Sequence, residues 1–533
     1  MVLEKHVVVC VLGDLGRSPR MQYHAQSLSN MGVERVTLLG YDGERCMRTT
    51  ESNGKIVQHR LIVPEFGNRV RRLPLLHAVL KGFWILFSIL QVLISLPPYD
   101  AIIIQNPPAL PALAACLVAD ALQLFYKPPA RIVIDWHNLG FSMFQEKAGA
   151  GAVVVRVSRL LEKVFSRVAH KHLCVSRAMS KWLAENFHIE AKVLYDRPNA
   201  SFKREPPSIV ERHNLLHRLG FTPSELFGVP PSGGEKGHGG IGEGCGTVGE
   251  GQHCVTTIHT QQYLSVSTDY GMVGKQPKLL NGGNGRIPLI ISSTSWTPDE
   301  DFTILLTALL DLNMKLVRVE GRHGDNGMRV LVVVTGKGPT KQTFLDRVAA
   351  LSSGTEGSAQ PLSHICIKTV WLEPEDYPLL MRCADVGVCL HTSSSGLDLP
   401  MKVLDMFGSS LPVVAVNFPT LPELVQDGEN GFIFDMDQPE MLSESLFALL
   451  SHGKGAHFPS QAYLAMKERA GQLSDWDANW TEHAEPLIRT VLQDEGGASL
   501  AVMAFRLAFQ TLSLALLYGL LCGVLYLDKI CRH

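Results

Sequence analysis

His6-Val-Val-Val-Cys-Val-Leu-Gly-Asp-Leu-Gly-Arg-Ser-Pro-Arg20 runs an unbroken apolar stretch, residues 7–12, into a glycine turn and then into a helical pattern over 19–31. A strand apolar on successive residues is buried on both faces, which is the signature of a parallel sheet. A strand that turns through glycine into a helix opens a βαβ unit. Working outward, further β-branched runs at 36–39, 101–105, 131–135, 172–175 and 192–195 alternate with helical stretches such as 153–169. A second series begins at 288–292 and continues through 329–335, 364–368, 385–390, 412–416 and 431–434. Two doubly wound α/β domains, each Rossmann-like, are the economical expectation.

Composition narrows the function classes. The 533 residues are 46% hydrophobic and 19% charged, so disorder over the whole length is excluded. Lys and Arg number 49 against 51 Asp and Glu, giving a net charge of -2. A protein that coats polyanions is normally basic, so nucleic acid is not an expected partner. Eleven cysteines occur without a C-x-x-C pair. Several lie inside apolar runs, so the expectation is buried, reduced thiols and a cytosolic compartment. The first residues run straight into a strand with no secretory pattern, which also predicts a cytosolic start.

Three segments interrupt the α/β pattern. Residues 228–285 are dense in glycine, for example Asn281-Gly-Gly-Asn-Gly285, and read as a flexible insertion. Its His238, His253, His259, Cys245 and Cys254 have no ligand spacing that makes a metal site the better reading. Residues 507–527 hold no charged side chain and, at about 1.5 Å per residue, just cross a hydrocarbon core of about 30 Å. A C-terminal transmembrane helix is expected there. Residues 73–96 are apolar but include His77 and Lys81, and two readings stand: a helix lying in a membrane interface, or one packed on the first sheet. The expected plan is therefore an N-terminal Rossmann-like domain over 1–210 with its membrane-directed segment at 73–96, and a linker with insertion over 211–285. A second Rossmann-like domain follows over 286–470, then a helical crossover over 471–498 and the membrane helix over 499–528.

The chemistry gathers at strand ends. Gly13 and Gly16 let backbone amides approach an anion at a helix start, and Arg17 and Arg20 add forked donors suited to phosphate. The rival reading is a loop that needs glycine only to turn. Asp135-Trp-His-Asn138 closes another strand of the same sheet, which places His137 beyond its carboxyl end. Histidine titrates near neutral pH and is a natural general base, with Asp14 in the glycine loop as reserve; a structural His137 is the other reading. In the second domain Thr335-Gly-Lys-Gly-Pro339 places Lys337 after a strand. Ser393, Ser394, Ser395 and Gly396 offer hydroxyls and amides to an anion ahead of a helix start at 400–407. Lys402 can neutralise a phosphate and Asp405 can accept both hydroxyls of a ribose.

These residues resemble a known family. The two-domain plan, the glycine loop and the Asp405 region resemble the GT-B glycosyltransferases, with two domains facing across a cleft. More narrowly, residues 13–25, Gln105-Asn-Pro-Pro108, Asp135-Trp-His-Asn138, Ser292-Ser-Thr-Ser-Trp296, Thr335-Gly-Lys-Gly-Pro339, Trp371-Leu-Glu-Pro-Glu-Asp-Tyr-Pro378 and residues 391–408 are similar to the chitobiosyldiphosphodolichol β-mannosyltransferases. The resemblance covers nearly everything except the glycine-rich insertion and the C-terminal tail. It implies inverting transfer of mannose from GDP-mannose to dolichyl-diphosphate chitobiose at the cytosolic face of the endoplasmic reticulum membrane, beside other glycosyltransferases of the dolichol pathway. It implies that no metal or other cofactor is needed, that the second domain holds the donor, and that Asp398 lies by the sugar while Asp405 takes the ribose. Two departures stand out. The usual pair is Glu and more widely spaced, whereas Asp398 and Asp405 have six residues between them. The family often carries an N-terminal anchor, whereas the long apolar segment here is C-terminal.

Two other function classes remain open on sequence. One is a catalytically silent, membrane-anchored scaffold that keeps the fold. The other is a nucleotide-dependent dehydrogenase, with Asp42 after the second strand as its ribose acid, although the Gly-x-Gly-x-x-Gly fingerprint is incomplete.

Overall fold

The structure is a computed structural model, and it describes residues 3–63, 74–123, 128–149, 151–198, 201–202, 204–221, 287–297, 300–323, 329–353, 362–373, 376–393, 395–450 and 459–493. The glycine-rich insertion and the apolar segment at 507–527 lie outside them, as does Ser394.

The N-terminal half alternates as the apolar runs require: β1 (Leu3–Asp14), α1 (Pro19–Asn30), β2 (Val33–Tyr41), the short α2 (Arg48–Glu51) and β3 (Ile56–Leu61). Next come α3 (Pro74–Ser95), β4 (Ala101–Asn106), α4 (Leu110–Leu122), β5 (Arg131–Trp136), α5 (Gly140–Ala148) and α6 (Val153–Phe165). The half closes with β6 (Lys171–Cys174), α7 (Arg177–Phe187), β7 (Ala191–Val193) and α8 (Ile209–Arg218). Seven strands form one parallel sheet in the order β3-β2-β1-β4-β5-β6-β7.

The second series is β8 (Leu289–Ser293), α9 (Phe302–His323), β9 (Val330–Thr335), α10 (Lys341–Ser353), β10 (Ile365–Val370), α11 (Asp376–Cys383) and β11 (Val386–Cys389). It continues through α12 (Met401–Gly408), β12 (Val413–Val416), β13 (Gly431–Phe434), α13 (Pro439–Leu450) and α14 (Gln461–Ala470), and ends in α15 (Trp476–His483) and α16 (Glu485–Gln493). Its six strands run β10-β9-β8-β11-β12-β13. The same strand order written twice is the doubly wound arrangement. By spatial contacts the described residues fall into two compact units. One comprises Met1–Arg204, Cys389–Met436 and Met466–His533, the other Glu205–Val388 and Asp437–Ala465.

The first sheet is apolar on both faces because side chains alternate along a strand. Val8 and Cys10 of β1 enter one core cluster, with Ile102 and Ile104 of β4 and Ile132 and Ile134 of β5. Val7 and Val9 of β1 enter the other, with Ile103 and Val133. Met21, Ala25 and Leu28 of α1 pack on that second face at helical spacing, and so do Trp476 and Trp480 of α15 with Ile488 and Val491 of α16. On the first face lie Ile89 and Leu93 of α3, which places the 73–96 segment against the sheet through part of its length. Among the described residues no helix is long and apolar enough to cross a membrane. Cys10, Cys174 and Cys389 are buried free thiols.

Trp480 ties the chain's last described helices to its first, since its indole nitrogen donates to His24 Nδ1 at 3.1 Å in a fully buried setting. Trp480→Ala leaves both a cavity and an unpaired imidazole, so it is expected to cost about 3–5 kcal/mol. The measurement is amide exchange across α1 and β1, which should accelerate accordingly. Unchanged protection there would show that α15 is not part of this core.

Candidate active site

Ligands of open parallel sheets bind beyond the carboxyl ends of the strands, where the strand order reverses. In the seven-stranded sheet that reversal lies between β1 and β4. Asp14 closes β1 and folds the glycine turn around its own carboxylate. Its Oδ1 accepts the Gly16 amide at 2.9 Å, and both oxygens take the Glu44 amide at 3.1 Å. Gly16 is required, because a Cβ there would meet the Glu44 carbonyl oxygen at 2.5 Å; at Gly13 the nearest atoms stand 3.5 Å away. The Arg17 and Ser18 amides turn back onto the carbonyls of Asp14 and Leu15. Arg17 is largely exposed and reaches Glu44 at 3.1 Å.

Behind this loop lies a buried ionic network. The Arg20 guanidinium forks onto Asp135 through Nε and Nη2, at 2.6 and 2.8 Å, and gives Nη1 to Asp196 at 2.7 Å. Trp476 lies against the same guanidinium, 5.5 Å from the ring centre. Burial alone would raise both carboxyls, but the Arg20 charge outweighs it and holds Asp135 far below its usual range and Asp196 at about 2. His24 is fully buried and its pKa is lowered by that burial. With Nδ1 accepting from Trp480, its remaining nitrogen faces Asp135 at 3.3 Å, which defines a neutral imidazole protonated on Nε2.

His137 stands at the edge of this network with its side chain 29% exposed, and its Nε2 lies 3.4 Å from Asp196 Oδ2. Burial works against the imidazolium, yet the hydrogen bond and charge of Asp196 prevail and raise the His137 pKa above 6.5. The backbone beneath it is fixed by a second device. Its amide donates to the Asn106 carbonyl at 2.8 Å. The Asn106 side-chain amide in turn donates to Glu162 Oε1 at 2.7 Å, and Glu162 also accepts the Gly140 and Phe141 amides at the start of α5, at 2.8 and 3.3 Å. A carboxylate at a helix start matches the unsatisfied amides there. The arrangement is a histidine oriented by a carboxylate at Nε2, with Nδ1 left to serve as a proton acceptor.

The 393–408 segment belongs to the same compact unit. Asp398 is bound by the hydroxyl of Ser393 and by that of Ser395 at 3.3 Å, and the Gly396 amide donates to Ser393 Oγ at 2.9 Å. Gly396 adopts a φ of 70°, the region that favours glycine. One turn into α12, Asp405 differs in kind. Burial pushes its carboxyl up to about 7, and among the described residues it has no hydrogen-bond or ion-pair partner. The Tyr23 hydroxyl is buried and also lacks a partner, and the charges of Asp405 and Asp196 add to burial in raising its pKa. A half-buried carboxyl and a buried hydroxyl, both without a partner among the described residues, are groups suited to a ligand's polar atoms.

In the other unit the Thr335-Gly-Lys-Gly turn sits against the loop after β8. A Cβ on Gly336 or Gly338 would strike the Thr294 or Ser295 carbonyl, so both glycines are needed for this approach. Thr294 and the Ser295 amide bind Glu300, and the Trp296 carbonyl takes the Thr340 hydroxyl at 2.8 Å. Lys337 is exposed, its ammonium 4.1 Å from the centre of the Trp371 ring. Asp42 is exposed and pairs with Arg60 at 3.2 Å. Among the described residues no group of three or more His, Cys, Asp and Glu stands together as a metal site.

The structure thus joins Asp14, Gly16, Arg20 and His137 at one set of strand ends, and gives each a different task. Asp14 organises the loop, Arg20 is committed to two carboxylates, and His137 is the group left partly open. Asp196 lies in no motif, and Tyr23 and His24, although inside the 13–25 stretch, carried no signal that marked them as site residues. The one available signal was a lone acid, Asp196, directly after an apolar run. The Asp405 environment generates a prediction. Its folded pKa is raised from 3.8 to about 7, so the associated stability is present below the ordinary carboxylate value and lost as pH rises through about 7. At pH 8, Asp405→Asn should therefore stabilise the chain, by on the order of 1 kcal/mol or more. Thermal unfolding at pH 8 reads the effect; destabilisation there would contradict the assigned environment.

The chain is similar to known proteins in sequence and fold. Residues 306–452 match the family described as "Glycosyl transferases group 1". The mouse chitobiosyldiphosphodolichol beta-mannosyltransferase is 36% identical over 496 residues, covering 91% of this chain and 89% of that one. The Arabidopsis thaliana UDP-glycosyltransferase TURAN is 34% identical, covering 91% and 97%. Among solved structures, Anabaena HepE in complex with UDP and glucose superposes with a TM-score of 0.54 at 15% identity, covering 91% of this chain and all of that one. That likeness identifies the fold as GT-B, with two parallel-sheet Rossmann-like domains. At such identity over nine-tenths of the sequence, the chain is a glycosyltransferase and belongs to the chitobiosyldiphosphodolichol beta-mannosyltransferase family.

Proposed function

We propose that the protein transfers mannose from GDP-mannose to dolichyl-diphosphate chitobiose, with inversion at the anomeric carbon. The observation that carries the reading is the family membership, joined to a site whose parts match that chemistry. An acceptor hydroxyl oxygen forms the new bond to the mannose C1 as the C1–oxygen bond to the diphosphate breaks, and GDP departs with the bonding pair. The acceptor proton passes to His137 Nδ1, and Asp196 stabilises the imidazolium that results. Asp405 accepts the ribose hydroxyls, and Asp398, already drawn in by Ser393 and Ser395, lies by the sugar. Lys402 neutralises the diphosphate, and no metal takes part. Gly13, Gly16 and Arg17 form the rim on which the acceptor diphosphate rests, with Arg20 holding the rim from below. The protein works at the endoplasmic reticulum membrane with its catalytic domains in the cytosol, anchored through the 507–527 segment. Support for an anchor is the lipid tail of the acceptor and the uncharged length of that segment.

The test is turnover of the full chain with GDP-mannose and a lipid-linked chitobiose in detergent. Transfer is expected, with undiminished rate in a chelator. His137→Ala should lower kcat by about 10²–10⁴-fold with donor affinity nearly unchanged. Since the neutral imidazole is the active form, kcat should rise with pH through the raised His137 pKa, and Asp196→Asn should move that limb to lower pH. Failure of the wild-type chain to transfer mannose overturns the assignment. A near-normal His137→Ala rate beside an inactive Asp14→Asn would move the base to Asp14.

A further inference from the structure

Two helices on one face of the seven-stranded sheet carry their apolar residues on the wrong side for a soluble protein. A surface helix ordinarily turns its apolar stripe inward. α6 does the reverse. Its buried positions include Val155 and Glu162, and Glu162 is the residue that binds the start of α5. Its Val153, Val157, Leu160 and Leu161, spaced to share one helix face, are 72%, 48%, 60% and 40% exposed. α3 divides likewise. Ile89 and Leu93 are fully buried, while Phe83, Trp84 and Phe87 point outward, between 46% and 61% exposed. The buried apolar residues Ile89 and Leu93 of α3 and Val155 of α6 belong to the same core cluster, so both helices lie over the same sheet face.

Charge selects the occupant. α3 contains no acid, and the one acid of α6 is the buried Glu162. Beside the exposed apolar residues stand Arg156 and Arg159, both exposed, and Lys81. The Arg159 guanidinium lies 5.5 Å from the Phe141 and Trp182 ring centres, which fixes it at the flank of the stripe. Exposed apolar and aromatic side chains on helices over one sheet face, cations beside them and no exposed anion on either helix is the pattern of a surface that lies in the headgroup layer of an anionic bilayer. Neither helix crosses it, because each is held to the sheet by its other side.

We propose that α3 and α6 together form a membrane-docking face that seats the first sheet on an anionic lipid surface. For its purpose the inference rests on the lipid-linked acceptor of the proposed function. Docking would bring the strand-end site to the depth at which a membrane-bound diphosphate is presented.

The test uses the full chain with phosphatidylcholine vesicles, with and without phosphatidylserine, and reads amide exchange in the α3 and α6 peptides separately from any contribution of the 507–527 segment. Anionic vesicles are expected to slow exchange there by about tenfold or more. The variant Val157→Ser/Leu160→Ser/Leu161→Ser should lose that protection, and should lose transfer to acceptor embedded in vesicles while keeping transfer to a short-chain acceptor in detergent. The control Ile209→Ser/Val210→Ser, exposed apolar residues of α8, should change neither. No slowing with vesicles, or equal slowing in the triple variant, overturns the proposal. So does protection that appears with protein concentration in the absence of lipid, which would assign the face to a second copy. Protection by vesicles without any transfer in detergent would uphold this surface and overturn the proposed function instead.

Discussion

One guanidinium organises the N-terminal half of this molecule. Arg20 is buried, and it is tolerated there because Asp135 and Asp196 take three of its donors in good geometry. A buried ion pair contributes little beyond its own desolvation, but removing one partner leaves an uncompensated charge and costs about 3–5 kcal/mol. The two carboxylates are therefore locked in place, and each then positions a histidine. Asp135 faces the neutral His24, which meets Trp480. Asp196 faces His137, where the same negative charge favours the protonated form of the group proposed as base. Packing between α1 and α15, and the electrostatics at the end of β5, thus share one origin.

The site built on this base mixes satisfied and unsatisfied groups. Around Asp14 and Glu162 the backbone amides of the loops are consumed by carboxylates, so those loops are rigid supports. Among the described residues Asp405 and the Tyr23 hydroxyl have no such partner, and the buried hydroxyl is left unsatisfied at a cost in stability. This contrast distinguishes groups that hold the site from groups that await a ligand, and it does so without any bound molecule. On the outside, α6 makes the same compromise in apolar terms, leaving its stripe to a surface other than its own core.

The fold was legible because it is written in short-range patterns. Unbroken runs such as 7–12 and 330–334 can be buried only on both faces, and glycine turns mark where strands pass into helices. The positions of the candidate residues were legible too, since Gly16, His137 and Asp405 sit at strand ends or helix starts. Their partners were not. Arg20 meets residues 115 and 176 positions away, and no local pattern encodes such a meeting. Nor does sequence tell Gly13, which has room for a side chain, from Gly16, which has none. The apolar periodicity of α6 was present in the sequence, but periodicity reports that a helix has two faces and not which one meets the core. The 73–96 segment illustrates the point, because α3 packs on the sheet and still exposes an aromatic side.

The proposed transfer is a single displacement assisted by a base on the first sheet. That mechanism inverts the sugar, so the configuration of the new linkage tests it directly. The full chain, given GDP-mannose and lipid-linked chitobiose, should yield a product whose one-bond carbon–hydrogen coupling at the mannose C1 is that of a β-mannoside. An α-mannoside would contradict in-line attack and would remove the reason for a base at His137.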